Sequence, residues 1–220
     1  MLEIITIMIA VTNPIFNQDI IFILLTISFL LIAILKAHYW KHTRLLLLSV
    51  FAQRYANQFL REENAFTERV KVITFFVMVI NFSAIIIKFM PQVSVLDSLV
   101  LIVFLCSIFF IKIGLILFFG IIFKMNDVAR LGVFFSFIFD RSLGLILFPL
   151  TVMLYFLSFE ISDSLLVFIA IIAVSILVLK LFWLWKIGTK SFGLPNYYIF
   201  LYLCALEISP LLLMAKGVIY

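Results

Sequence analysis

LVLIVFLCSIFFIKIGLILFFGIIF, residues 99–123, is an apolar run of 25 residues with a single charge, Lys112, at its fourteenth position. A helix rises about 1.5 Å per residue and needs roughly 20 apolar residues to cross the ~30 Å hydrocarbon core of a bilayer, so this run is long enough to span. The rest of the chain repeats the pattern. Of 220 residues, 66% are hydrophobic and 12% charged, which places the protein in the membrane class. No segment outside the apolar runs is long enough to build a core of its own, so the membrane helices are the domain.

Working outward, the first run is Ile20 to Leu35, followed by a polar basic stretch over residues 36–71. The second is Val72 to Phe89, the third Leu99 to Phe123, the fourth Ser142 to Phe159, the fifth Leu165 to Leu184, and the sixth Asn196 to Ala215. The expected fold is therefore all-α: a polytopic transmembrane bundle of about six spans plus an amphipathic helix in the basic stretch. Lys124 to Arg141 is ambiguous, because its apolar centre, Leu131 to Phe139, would cover only about 14 Å as helix and suits an interfacial position. The first 16 residues are apolar but lack a basic leader and are interrupted by Asn13 and Pro14, which reads as a short surface segment. Cys106 and Cys204 both fall inside spans, where cysteine behaves as a small hydrophobe.

Basic residues set the orientation of a multi-pass protein. Lys36, Lys41, Arg44, Arg54, Arg61, Arg69 and Lys71 follow the first span; Lys124, Arg130 and Arg141 follow the third; Lys180, Lys186 and Lys190 end the fifth. These expectations put one face of the bundle in the cytoplasm and both termini outside it. Trp40, Trp183 and Trp185 fall at the same ends, as an interfacial aromatic belt requires. The net charge of +5 is then a topology signal, and no nucleic acid is implied.

Two charges lie deep in apolar runs. Lys112 is about 18 Å along the helix axis from either interface, too far for its side chain to reach water comfortably. Glu207 is equally central in the sixth span, with Asn196 and Pro210 on its helical face. Pro210 cannot donate to the carbonyl of Leu206, which leaves an acceptor beside Glu207. Intramembrane ionisable residues usually find partners and mark pathways, relays or contacts between helices. The expected polar site is Lys112, Glu207, Pro210 and Asn196, bordered by Asp140 and Arg141. Two readings stand side by side: a structural pair pinning span three to span six, or a proton, ion or anion site.

The stretch Arg44 to Leu60 sets Leu45, Leu48, Phe51, Tyr55 and Phe59 against Arg54, Asn57 and Gln58, the pattern of a basic amphipathic helix on the inner leaflet. Arg44, Arg54, Arg61 and Arg69 are its expected partner or lipid surface. His38 and His42 have a helical spacing that can hold a metal, but their basic neighbours favour a solvated face instead. No nucleophile elbow, zinc-protease helix, phosphate-binding loop or dinucleotide fingerprint is present, so neither an enzyme nor a cofactor is expected.

The C-terminal stretch Tyr202-Leu203-Cys204-Ala205-Leu206-Glu207-Ile208-Ser209-Pro210-Leu211-Leu212, with Lys216 after it, resembles the terminal signature of a family of uncharacterised multi-pass proteins of Gram-negative bacteria, a domain of unknown function. The basic stretch around Arg61-Glu62 and the Lys112-bearing run are similar too, so the resemblance covers most of the chain. It implies residence in a bacterial inner membrane, which would put both termini in the periplasm, and marks Glu207 and Pro210, with Ser209 standing where that signature is apolar. It supplies no activity. The leading expectation is a non-enzymatic integral subunit or assembly factor of an envelope complex, contacting lipid and a membrane protein partner or a second copy of itself. The runner-up is a small transporter or channel using Lys112 and Glu207.

Overall fold

A computed structural model of the chain describes residues 2–62, 64–89, 94–122, 124, 126–157 and 159–192. Among them are seven helices and no strand: α1 (Leu2–His38), α2 (Trp40–Ser49), α3 (Gln53–Arg61), α4 (Ala65–Ile87), α5 (Val95–Ile122), α6 (Asn126–Phe156) and α7 (Phe159–Phe192). Five are long and apolar enough to cross a bilayer: Asp19–His38 of α1, α4, α5, Ala129–Phe156 of α6 and Ser164–Thr189 of α7. The expected sixth span, residues 196–215, lies outside the described residues.

Three expectations are adjusted. The N-terminal residues do not form a separate segment, since α1 runs through Asn13 and Pro14 as one helix. The ambiguous stretch before Ser142 is helical from Asn126 and continuous with the run after it, giving a 31-residue α6 with Pro149 inside. Its nine apolar residues are too few to span alone, but Asp140 and Arg141 continue the helix because protein groups meet them there. Consequently Arg141 and Lys180, counted among the flanking basic residues, lie inside α6 and α7.

Local chemistry sets the helix starts. Asn64 caps α4 through its side-chain carbonyl, which accepts from the Phe66 and Thr67 amides, while the Asn64 amide donates to the Thr67 hydroxyl. Such a reciprocal box satisfies donors that a helix N-terminus leaves unpaired. Ser94 and Asp97 do the same for α5. Inside the spans, hydroxyls such as Thr74, Ser83 and Thr151 donate to carbonyls one turn back, which hides their polarity from lipid.

α6 is the hub, packing on α4, α5 and α7. It runs parallel to α4: Lys71 lies over the Phe134 ring, Asn81 bonds to Gly144, and Tyr155 donates to the Ala84 carbonyl. α1, α5 and α7 run the opposite way. The end where α4 and α6 begin and α1, α5 and α7 finish is called the basic end below. Between lipid-embedded helices no hydrophobic force operates, so close packing and hydrogen bonds hold them together. Phe75, Phe109 and Phe137 supply part of this, meeting edge to face at centroid distances of 5.9 and 6.0 Å. Gly144 supplies another part, because a Cβ there would sit 2.5 Å from the Met78 Cα; the α4–α6 approach requires glycine.

The amphipathic stretch is helical, but as a hairpin of α2 and α3 turning at residues 50–52. It does not lie flat. Its base joins the basic end, where Lys41 and His42 face Glu62 and His42 stacks on Phe66. From there α2 climbs beside α6 until the Leu46 carbonyl accepts from Ser142, thirteen residues past Ala129 and midway along that span. α3 returns, stacking Phe59 on Phe134. Eight residues of α6 separate Phe134 from Ser142, about 12 Å of axial rise. Leu46, Val50, Ala56 and Phe59 are fully buried against α6 and α7 residues such as Ile138 and Ile176. The tip carbonyls are met by the Val50, Phe51 and Ala52 amides and by Ser49 and Ser142, as backbone at membrane depth requires.

Candidate functional site

The centre of the bundle holds a cluster of charges on α5, α6 and α7. Lys180 Nζ donates to Asp140 Oδ1 at 2.7 Å, and Lys112 Nζ donates to Asp140 Oδ2 at 3.4 Å. Both lysines are buried, at 3% and 7% exposure. Depth is shared as well. Lys112 is ten residues before Ile122, Asp140 eleven after Ala129, and Lys180 nine before Thr189. All three therefore occupy one layer about 14–17 Å from the basic end. Each helix places its residue there by register: Lys112 follows Phe109 by one turn on the α5 face that meets α6, and Phe109 packs on Phe137.

Phe137 floors the cluster. Lys112 Nζ lies 5.7 Å from its ring centroid and the Arg141 guanidinium 5.4 Å from the same centroid. Cation–π contacts of this kind contribute about 0.5–2 kcal/mol, more where water is excluded. Arg141 Nε is buried and has no hydrogen-bond partner among the described residues. Among the described residues, one carboxylate thus stands beside two lysines and an arginine at a depth where ionised groups are least tolerated. Chemically the arrangement can lock three helices together through one carboxylate whose two oxygens each take a different lysine.

A second polar site lies about one turn along α6. Ser28 of α1 donates to Asn81 Oδ1 at 3.3 Å, and Asn81 Nδ2 donates to the Gly144 carbonyl at 2.9 Å. Ser28 and Asn81 are fully buried. This seam is neutral and ties α1, α4 and α6.

Of the residues singled out from sequence, Lys112 and Arg141 come together around Asp140. Asn196, Glu207 and Pro210 lie outside the described residues. Arg44, Arg54, Arg61 and Arg69 are all exposed, on the hairpin and at the start of α4, with Arg69 donating to the Tyr39 hydroxyl. His42 pairs with Glu62 at 3.8 Å, and among the described residues no third metal-binding group joins it and His38. Three residues matter more than their sequence surroundings signal. Lys180 reads with Lys186 and Lys190 as the end of a span, although apolar Leu181 to Trp185 continues the run past it. Asp140 reads only as a border residue. Asn81, an amide in the middle of an apolar run, carried a signal equal to that of Lys112.

No curated protein and no solved structure matches the chain. Residues 21–218 match a family described as a domain of unknown function, DUF4271, and that match takes in α1 from residue 21 onward, the other four apolar helices and the charged cluster. The chain belongs to the DUF4271 family.

Proposed function

We propose that the protein is a non-enzymatic integral subunit or assembly factor of an envelope complex in a bacterial inner membrane. What supports this reading is the Lys112–Asp140–Lys180 cluster, buried and joining three helices at one depth. A buried ion network fixes which helix faces meet and at what register, and removing one member leaves a charge uncompensated. In this reading Glu207, the remaining central carboxylate of the sequence, balances the second lysine, so the Lys112–Glu207 pair becomes part of a four-residue network. The exposed arginines Arg54 and Arg61 of the hairpin offer the contact surface for the rest of the complex.

The test is extraction of the tagged protein from its native membrane in mild detergent, with mass spectrometry of what accompanies it. Stoichiometric companions that disappear on charge reversal at Arg54 and Arg61 are the expected result. A clean, monodisperse preparation would sink the subunit reading.

One observation favours a second reading, a small transporter or channel. Among the described residues Lys112 and Lys180 both meet Asp140 at mid-span with Arg141 beside them, and ionisable groups at that depth are where a transporter exchanges a proton or anion between partners. Proton and anion flux into liposomes, abolished by Glu207→Gln with the fold intact, is the result this reading requires.

A further inference from the structure

The outer face of the α2–α3 hairpin is a groove of about 380 Å³ whose lining changes character along its length. At the base, Lys41 and Arg44 are exposed with Trp40 and Gln58 beside them. Further up, the lining is Leu45, Leu48 and the ring of Tyr55. The hairpin base sits at the basic end and its tip midway along α6, so this polar-to-apolar order follows the depth of a bilayer. We propose that the groove holds one anionic phospholipid, its phosphate between Lys41 and Arg44 and an acyl chain lying upward along Leu45 and Leu48.

Charge complementarity selects this occupant. Two cations face the groove mouth, and Glu62 engages Lys41 at 3.4 Å but leaves Arg44 exposed, so the mouth stays net positive. Guanidinium and ammonium groups bind phosphate oxygens through charge-assisted hydrogen bonds. The Trp40 ring at the base suits the headgroup level, presenting an apolar body and a polar edge. Beyond the apolar end, in the turn of the hairpin, Phe51 is 71% exposed. A soluble anion would leave that end unused; a lipid fills both.

The test is native mass spectrometry of the full chain purified into detergent doped with equal phosphatidylglycerol and phosphatidylcholine. One phosphatidylglycerol is expected to remain bound per chain. Lys41→Gln or Arg44→Gln should weaken retention about five-fold each and the pair together about thirty-fold, whereas Arg54→Gln, outside the groove, should not. Leu48→Gln should shorten retention with the charges untouched. Inorganic phosphate at millimolar concentration should fail to displace the lipid. Equal retention of phosphatidylcholine, or full retention by the double variant, overturns the proposal, as does displacement by phosphate, which would make the groove a soluble-anion site. Absence of any bound lipid, with a protein cross-linked through the groove in intact membranes, would assign it to a protein partner instead.

Discussion

At Gly144, α6 meets α1 and α4 through neutral hydrogen bonds and a backbone contact that admits no side chain; one turn earlier, at Asp140, it meets α5 and α7 through charges. The two sites lie on the same helix at nearly the same depth. They differ in what a change of partner would do. The neutral seam is closed, since Ser28, Asn81 and the Gly144 carbonyl meet in one chain of hydrogen bonds. The charged cluster is ionisable: among the described residues, Asp140 takes a different lysine on each oxygen and the Arg141 Nε meets no hydrogen-bond partner. The seam therefore reads as construction, and any capacity to bind or to move a proton belongs to the cluster.

The largest expected effect separates the two directly. Asp140→Asn leaves buried cations without their carboxylate and should cost about 3–5 kcal/mol, seen as loss of accumulated protein. Adding Lys180→Met should recover a substantial part of that loss, because it removes the cation held at 2.7 Å. If the two losses simply add, the residues do not act as a unit and the contrast with the seam collapses.

Next comes Gly144→Ala. Its Cβ would meet the Met78 Cα at 2.5 Å, backbone that cannot step aside, so about 2–3 kcal/mol of destabilisation is expected in thermal unfolding of the detergent-solubilised protein. A neutral outcome would mean that α4 and α6 slide apart easily. Asn81→Leu should cost less, about 1–2 kcal/mol for two hydrogen bonds in a membrane setting, and should leave lipid retention and companion proteins unchanged. An effect on either would move the seam from construction to function.

The smallest expected effect concerns the hairpin base. The Gln58 amide donates to Glu62 at 3.0 Å, and with Lys41 and His42 nearby it holds the Glu62 carboxyl below its ordinary range against a smaller opposing effect of burial. A carboxyl whose folded pKa is lowered stabilises the fold at pH above its unfolded value and loses that contribution as pH falls through the folded one. Hydrogen exchange of α2 and α3 should therefore accelerate slightly on acidification below the usual carboxylate range, and Glu62→Gln should flatten that dependence. An unchanged pH profile in the variant would show that other groups hold the base.

Much of the architecture was legible from run length alone, because five apolar helices announce themselves in a chain with so few charges. Lys112 was legible for the same reason: a lone cation in 25 apolar residues has no other explanation. Lys180 was not, since a lysine followed within ten residues by two more resembles the edge of a span, and only the apolar residues between them say otherwise. Asp140 and Arg141 hid one another. Adjacent charges of opposite sign look like a loop, and nothing in the local pattern says that Asp140 will take lysines from two other helices. The hairpin was visible as amphipathic helix but not as a hairpin, because its depth is set by Ser142, far away in sequence.

That last distance has a consequence for how the protein is made. The Leu46 carbonyl waits for a hydroxyl 96 positions downstream. At about 5–20 residues per second a ribosome needs roughly 5–20 s to deliver it. During that interval α2 and α3 have neither α6 nor α7 to lean on, and of the cluster that buries Leu46, Val50 and Phe59 only the α1 and α4 members, such as Leu35 and Val70, have been made. The hairpin is thus a late arrival in its own protein, seated after the spans that flank it have been threaded.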